Sequence, residues 1–464
     1  RSYPLHTKTY QENAYASFFS TASYSLLQRY TVGGSVRFDG SDIFGVSKKY
    51  RFLPLYSFSG LWRINNEPFM KDFKKIDNLV IRASYGVQGN IDKSTSSYVM
   101  GNYNNVSILP DVTEEMIVLG TPPNKRLRWE KTKTMNFGTD IALFNNALNI
   151  TVDYYRRKGT DLIALQMLPL ETGFMSTYVN WASMRNDGFE VALTTRNINR
   201  NGFTWFTNFN LGYNQNKVLR ETVPSNQTTP GREGYPVGAL FAYKSAGLDD
   251  EGYPLFYNKE GEKVTAVELL KLNSAGASTL SAEEQRNLYS YIGSSDPLFS
   301  GGFVNTFNIK RFEVVVNFIF NLKMYSRVAP SYTLTSFDRG MNTNRDILNR
   351  WTPTNTNTDF PALLSDTKRT AEYSHYDIFS TYQMMDTWVK RSDHVRLQNI
   401  RVGYKLPETL MHTLGIRSAT VALEGRNLFV FGANYKNFLD PETMSNQFAQ
   451  PIPKSFTFSL NMNF

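Results

Sequence analysis

The stretch KSFTFSLNMNF occupies Lys454–Phe464, and from Phe456 onward every second residue is apolar. Phe456, Phe458, Leu460, Met462 and Phe464 alternate with Thr457, Ser459, Asn461 and Asn463. A period of two divides a β-strand into one apolar and one polar face. A terminus is ordinarily polar and frayed, so an aromatic final residue predicts a strand that is anchored.

The same period recurs upstream. Tyr30, Val32, Gly34, Val36 and Phe38 alternate with Thr31, Gly33, Ser35, Arg37 and Asp39; Leu148, Ile150, Val152 and Tyr154 form another such row. Trp205 to Tyr213 and Phe312 to Phe320 repeat it. The pattern predicts thirteen strands, at 13–26, 30–40, 51–64, 78–90, 127–143, 147–158, 182–197, 203–217, 298–309, 312–323, 388–404, 418–430 and 454–464. Short turns at 27–29, 144–146, 198–202 and 310–311 alternate with long segments at 91–126, 159–181, 218–297, 324–387 and 431–453. Two links, 65–77 and 405–417, read as short helices, with Pro68 and Pro407 at their starts and Gly415 at a stop.

Composition narrows the function. With no cysteine, disulfides and thiol chemistry are excluded, and the four histidines form no pair at metal-ligand spacing. The net charge of +9 is spread along the chain, as on a solvated surface; no nucleic-acid partner is expected. No run of 18 apolar residues could cross a bilayer as a helix, but a membrane barrel needs only alternate apolar residues.

Alternation alone fits two architectures, a soluble β-sandwich with its apolar row turned inward and a membrane barrel with that row turned outward. Long strands, short turns alternating with long loops, and a second row rich in Asn, Thr, Ser, Arg and Asp favour the barrel. Single-chain bacterial barrels have an even strand number. Thirteen is odd and the chain begins at Arg1 without an initiator Met, so further strands are expected upstream.

Six segments in order resemble a known family, the SusC/RagA-type TonB-dependent outer-membrane transporters. They are YTVGGSVRFDGSDIFG (30–45), LPLYSFSGLWRINNEPFMKD (53–72), NLVIRASYGVQGN (78–90), LRWEKTKTMNFGTDIALFNNALNITVDYYRRKGTDLI (127–163), ILNRWTPTNTNTDFP (347–361) and DHVRLQNIRVGYKLP (393–407). The resemblance spans the chain and corresponds to the C-terminal half of a family member. It implies an all-β fold, an antiparallel transmembrane β-barrel of 22 strands with a plugged lumen and long extracellular loops. Residues 1–464 would supply about thirteen C-terminal strands, while the plug domain, the TonB box and the first strands would lie outside this chain. The resemblance further implies import of oligosaccharides or peptides across the cell outer membrane, energised by TonB through the absent N-terminal part. A SusD-like lipoprotein would form a lid over the loops, and transporter–lid pairs would associate as dimers. A passive porin or structural adhesin barrel is the alternative, and a soluble carbohydrate-binding β-protein, extractable without detergent, is a third.

No catalytic constellation is present and no cofactor is expected. His394 beside Asp393 and Arg391 lacks a nucleophile partner, and Asp249, Asp250 and Glu251 read as part of a loop hairpin with Gly252 and Gly261 at its turns rather than as a metal site. Ser281 and Glu284 have the spacing of a capping box. Phe241, Tyr243, Tyr253, Phe256 and Tyr257 cluster in one long segment and are candidates for substrate or lid contact. Phe464, Met462 and Leu460 resemble the C-terminal signal read during barrel assembly in outer-membrane proteins.

Overall fold

The computed structural model describes residues 12–42, 52–92, 95, 97–109, 112–332, 343–365, 376, 378–413, 415–432, 440–446 and 448–464. Phe44 and Gly45 of the first quoted motif, and His6 and His375, lie outside the described residues. The large antiparallel sheet has thirteen strands, adjacent in chain order: β1 (Tyr15–Leu26), β2 (Tyr30–Ser41), β3 (Phe52–Arg63), β4 (Ile76–Asn90), β5 (Glu130–Leu143), β6 (Leu148–Met167), β7 (Ser176–Arg200), β8 (Phe203–Arg220), β9 (Phe299–Ile309), β10 (Phe312–Leu322), β11 (His394–Lys405), β12 (Ser418–Phe431) and β13 (Ser455–Asn463). The chain divides into two compact units, 1–189 with 216–224, and 190–215 with 225–464.

In the first unit the registers join apolar residues into one face. Phe58 lies opposite Gly34 and Tyr85, Trp62 opposite Tyr30 and Ile81, and Phe137 opposite Ala83 and Tyr154. On the other face Arg82 bonds Asp140 at 2.8 Å and Asp153 at 3.1 Å. At the turn 144–146 three successive residues adopt positive φ, tolerated best by Asn145 and Asn146.

The segment 65–77 differs from the expected helix. It holds two 3-10 turns, Ile64–Asn66 and Pro68–Met70, because Glu67 before the proline is extended (φ −75°, ψ 147°). Its side chain accepts bonds from Tyr30 Oη at 2.5 Å and Trp62 Nε1 at 3.0 Å, with the Arg29 guanidinium at 3.4 Å. The connection expected over 159–181 is short: β6 runs on to Met167 and β7 begins at Ser176. Segment 91–126 contains a hairpin, Met100–Leu109 with Val112–Thr121.

In the second unit the rows continue. Trp205, Phe307, Val314, Val402, Leu423 and Phe458 stand opposite one another, strand by strand. Asn305 interrupts this apolar face; it accepts bonds from Trp205 Nε1 at 3.0 Å and Thr207 Oγ1 at 2.7 Å. The opposite face carries Glu313, Arg401 and Glu424. The expected strand at 388–404 is broken: Val389–Arg391 pairs with Tyr325–Arg327, and β11 starts at His394. Glu408–Thr413 is the helix expected after Pro407, and Gly415 follows it with φ +67°.

Among the described residues the apolar row of the last strand is not packed into a dry interior. Phe456 is 72% exposed, Phe458 71% and Leu460 49%, an arrangement a sandwich core excludes. The largest buried apolar cluster instead gathers loop residues of the second unit, among them Tyr243, Phe256, Leu269, Tyr382 and Trp388.

Candidate functional site

The long segments of the second unit build a folded block. Two short helices, Ala266–Leu270 and Ala282–Arg286, each open on a capping box, Thr265 with Glu268 and Ser281 with Glu284. Hydrogen bonds from the Ser281 side chain and backbone hold the Glu284 carboxyl below its ordinary range. Tyr243 and Tyr289 stack at 4.1 Å between centroids. Burial pushes both hydroxyls upward, so they remain neutral. Arg327 crosses the block, donating to the carbonyls of Phe241 at 2.5 Å and Gln383 at 3.1 Å, and burial lowers its pKa.

Of the five aromatic candidates, Phe256, Tyr243 and Tyr253 are buried. Phe241 and Tyr257 stay partly accessible. The strand Ala239–Ala242 pairs with Ser290–Ser294, setting Phe241 opposite Tyr291. Tyr235 completes a group of three rings, 5.1 Å from Phe241 and 4.8 Å from Tyr291, with Phe241 and Tyr291 5.9 Å apart. Tyr235 and Tyr291 present about two fifths of their surface to solvent. Tyr291 was missed in the sequence because fifty residues separate it from Phe241; only the short strand SYIGS marks it.

Asp249 is a turn residue. Its Oδ1 accepts from the Glu251 and Tyr253 amides at 2.9 and 2.8 Å, and Gly252 takes φ +85°. Among the described residues no group of three His, Asp or Glu side chains is placed to hold a metal.

On the polar face, Glu313 bonds Arg401 at 2.5 Å, and Glu424 bonds Arg426 at 2.6 Å and Asn399 at 3.3 Å. Higher on β11, buried Arg396 bonds Asp440 at 2.5 Å and Glu442 at 2.7 Å. His394 is fully buried; Nδ1 lies 2.8 Å from the Ser392 carbonyl and Nε2 3.3 Å from Glu442. These residues tether segment 440–446 to the sheet. Leu460 and Met462 on β13 lie exposed, as does Phe464 just after it, at 84%.

This arrangement, an exposed apolar face backed by a charged and amide-rich face, is matched in known proteins. The family model described as "TonB dependent receptor-like, beta-barrel" matches residues 2–428. TonB-dependent receptor P3 of Formosa agariphila is 30% identical over 483 residues, covering 98% of this chain and 46% of that protein. TonB-dependent receptor SusC of Bacteroides thetaiotaomicron is 24% identical, covering 99% and 45%. The structure of the RagAB peptide importer in its "closed-closed" state superposes with a TM-score of 0.79 and 26% identity, covering 98% of this chain and 48% of that one. The chain thus spans about half the length of the curated relatives it matches. Those relatives are receptors and a peptide importer rather than enzymes, and the exposed apolar rows have their solvent in the hydrocarbon of the outer membrane. The chain belongs to the TonB-dependent receptor-like β-barrel family of the outer membrane.

Proposed function

We propose that this chain supplies the C-terminal part of a 22-stranded, plugged barrel that imports oligosaccharides or peptides across the outer membrane. The plug, the TonB box and the first strands belong to the remaining transporter segment, through which TonB delivers energy. A SusD-like lipoprotein closes over the loops, and two transporter–lid pairs associate. The observation that carries the reading is the sheet with an exposed apolar face and a charged inner face, bearing a structured loop block in place of unstructured connections. Its match to SusC and to the RagAB importer over nearly the whole chain supports the same reading.

Within that block, Phe241 and Tyr257 remain the accessible members of the aromatic set, joined by Tyr235 and Tyr291. Ring faces of this kind stack on sugars or pack on peptide side chains. Phe464, Met462 and Leu460 act as the assembly signal of the last strand. The test is to tag the transporter in its host, purify it in detergent and identify co-purifying chains by mass spectrometry. Uptake of labelled oligosaccharides and oligopeptides is then followed with and without an uncoupler. A surface lipoprotein in the complex and uncoupler-sensitive uptake are expected. Uptake indifferent to the uncoupler would make the barrel a passive pore.

A further inference from the structure

On the first unit the apolar face ends at a sharply defined level. Alternation puts Lys133, Met135, Phe137, Thr139 and Ile141 on one face of β5, and Lys158, Arg156, Tyr154, Val152 and Ile150 on the same face of β6. Going up from the short turn at 144–146, the register sets Ile141 against Ile150, Phe137 against Tyr154, Met135 against Arg156 and then Lys133 against Lys158. Two ammonium groups directly opposed on one face repel each other. Neither forms an ion pair among the described residues, and both are exposed.

The cations continue sideways. Asp187 on β7 contacts Arg156 at 2.5 Å and Arg185 at 2.7 Å, which places Arg185 on this same face. Asn216 on β8 donates to Asn186 at 2.8 Å on the opposite face, so Lys217 and Arg185 stand beside one another on the outer one. Five cations, Lys133, Arg156, Lys158, Arg185 and Lys217, therefore stand on this face, and among the described residues Asp187 pairs with two of them, Arg156 and Arg185. One residue pair higher, Lys131 and Arg128 are matched by Asp161 at 3.6 and 2.6 Å. Trp181, four residues before Arg185 on β7, is half exposed, and the Arg220 guanidinium lies 4.1 Å from its ring centroid.

From Leu143 to Lys133 the strand climbs roughly 25 Å at ~3.3 Å per residue and ~40° tilt, the height of a barrel's apolar band. The belt thus sits where hydrocarbon gives way to headgroups, on the side of the long loops. We infer that this belt binds the phosphate groups of the phosphorylated glycolipid of the outer leaflet. The phosphates would relieve the Lys133–Lys158 repulsion and pair with Arg185 and Lys217, while the acyl chains would lie along Phe137 and Tyr154. The inference rests on the outer-membrane placement and is independent of import.

The experiment places the transporter in phosphatidylcholine nanodiscs containing bisphosphorylated lipid A or the same lipid enzymatically dephosphorylated, with retention read by native mass spectrometry. Retention of the phosphorylated form about tenfold or more above the other is expected, from about 1 kcal/mol per basic residue. The variant K133Q/K158Q/R185Q should lose that preference, whereas K310Q, a cation at the short turn between β9 and β10, should keep it. Equal retention of the two lipids by the unaltered protein overturns the inference without reference to any variant. Complete displacement of lipid A by inorganic phosphate also overturns it, since the belt would then be a site for the free anion. Import can fail or succeed whichever result is obtained.

Discussion

Asn305 is an amide in a row of rings, between Phe303 and Phe307 on the face that meets lipid, and Asn197 joins its cluster by donating to Thr207 at 2.7 Å. Hydrocarbon offers no bonding partner, so every polar group there must find one inside the protein. Asn305 does this for two neighbours at once, Trp205 and Thr207. Replacing it by leucine makes the face more apolar yet strands an indole N–H and a hydroxyl. Asn305→Leu should therefore destabilise the barrel by about 1–3 kcal/mol, read as a lower urea midpoint in lipid vesicles. An unchanged midpoint would mean that this face is in contact with water. The alternation of β9 was legible in the sequence, but the partners of Asn305 were not, because they lie about a hundred residues away. The same distance effect hid Tyr291, which meets Phe241 only once a short strand pair forms.

At the scale of elements, strands were read well where alternation was uninterrupted and poorly where turn-forming residues intervened. Gly159, Thr160 and Asp161 look like the start of a loop, and Asp161 does take positive φ. Pairing with β5 runs up to Thr160, opposite Lys131, and β6 nevertheless continues through Asp161 to Met167. The link after β3 was read as a helix from Pro68, but the extended residue before that proline divides it. The same residue, Glu67, fastens three side chains at the short-turn end of β2 and β3. Hydrogen bonds from Tyr30 and then Trp62 hold its carboxyl below the usual glutamate range against an opposing effect of burial, with the nearby Arg29 charge adding to the depression. A depressed value means that the ionised form is the one stabilised. The contribution is present at neutral pH and vanishes as pH falls through that value. Glu67→Gln should lower the thermal midpoint of the detergent-solubilised protein at neutral pH, and the gap to the parent should close in acid. A gap that stayed constant with pH would remove the ionised carboxylate from the account.

For the whole molecule, sequence periodicity left sandwich and barrel open, since both divide strands into two faces. What separates them is whether the apolar row is packed away, and Phe456 and Phe458 are exposed. Each large side chain moved from water into hydrocarbon contributes about 1.5–3 kcal/mol, so the protein should enter the detergent-rich phase in a cloud-point partition. Recovery in the aqueous phase as a monodisperse species would refute the membrane placement. Candidate contact residues were harder to read, because an aromatic in a loop has the same letter whether it fills a core, as Phe256 does, or borders solvent, as Tyr291 does. One dimension of the sheet carries a further consequence. β7 is 25 residues long, and at ~3.3 Å per residue and ~40° tilt it rises roughly 60 Å, more than twice the ~25 Å apolar band. More than half of its length therefore stands beyond the apolar band, as hydrogen-bonded ribbon among headgroups and water.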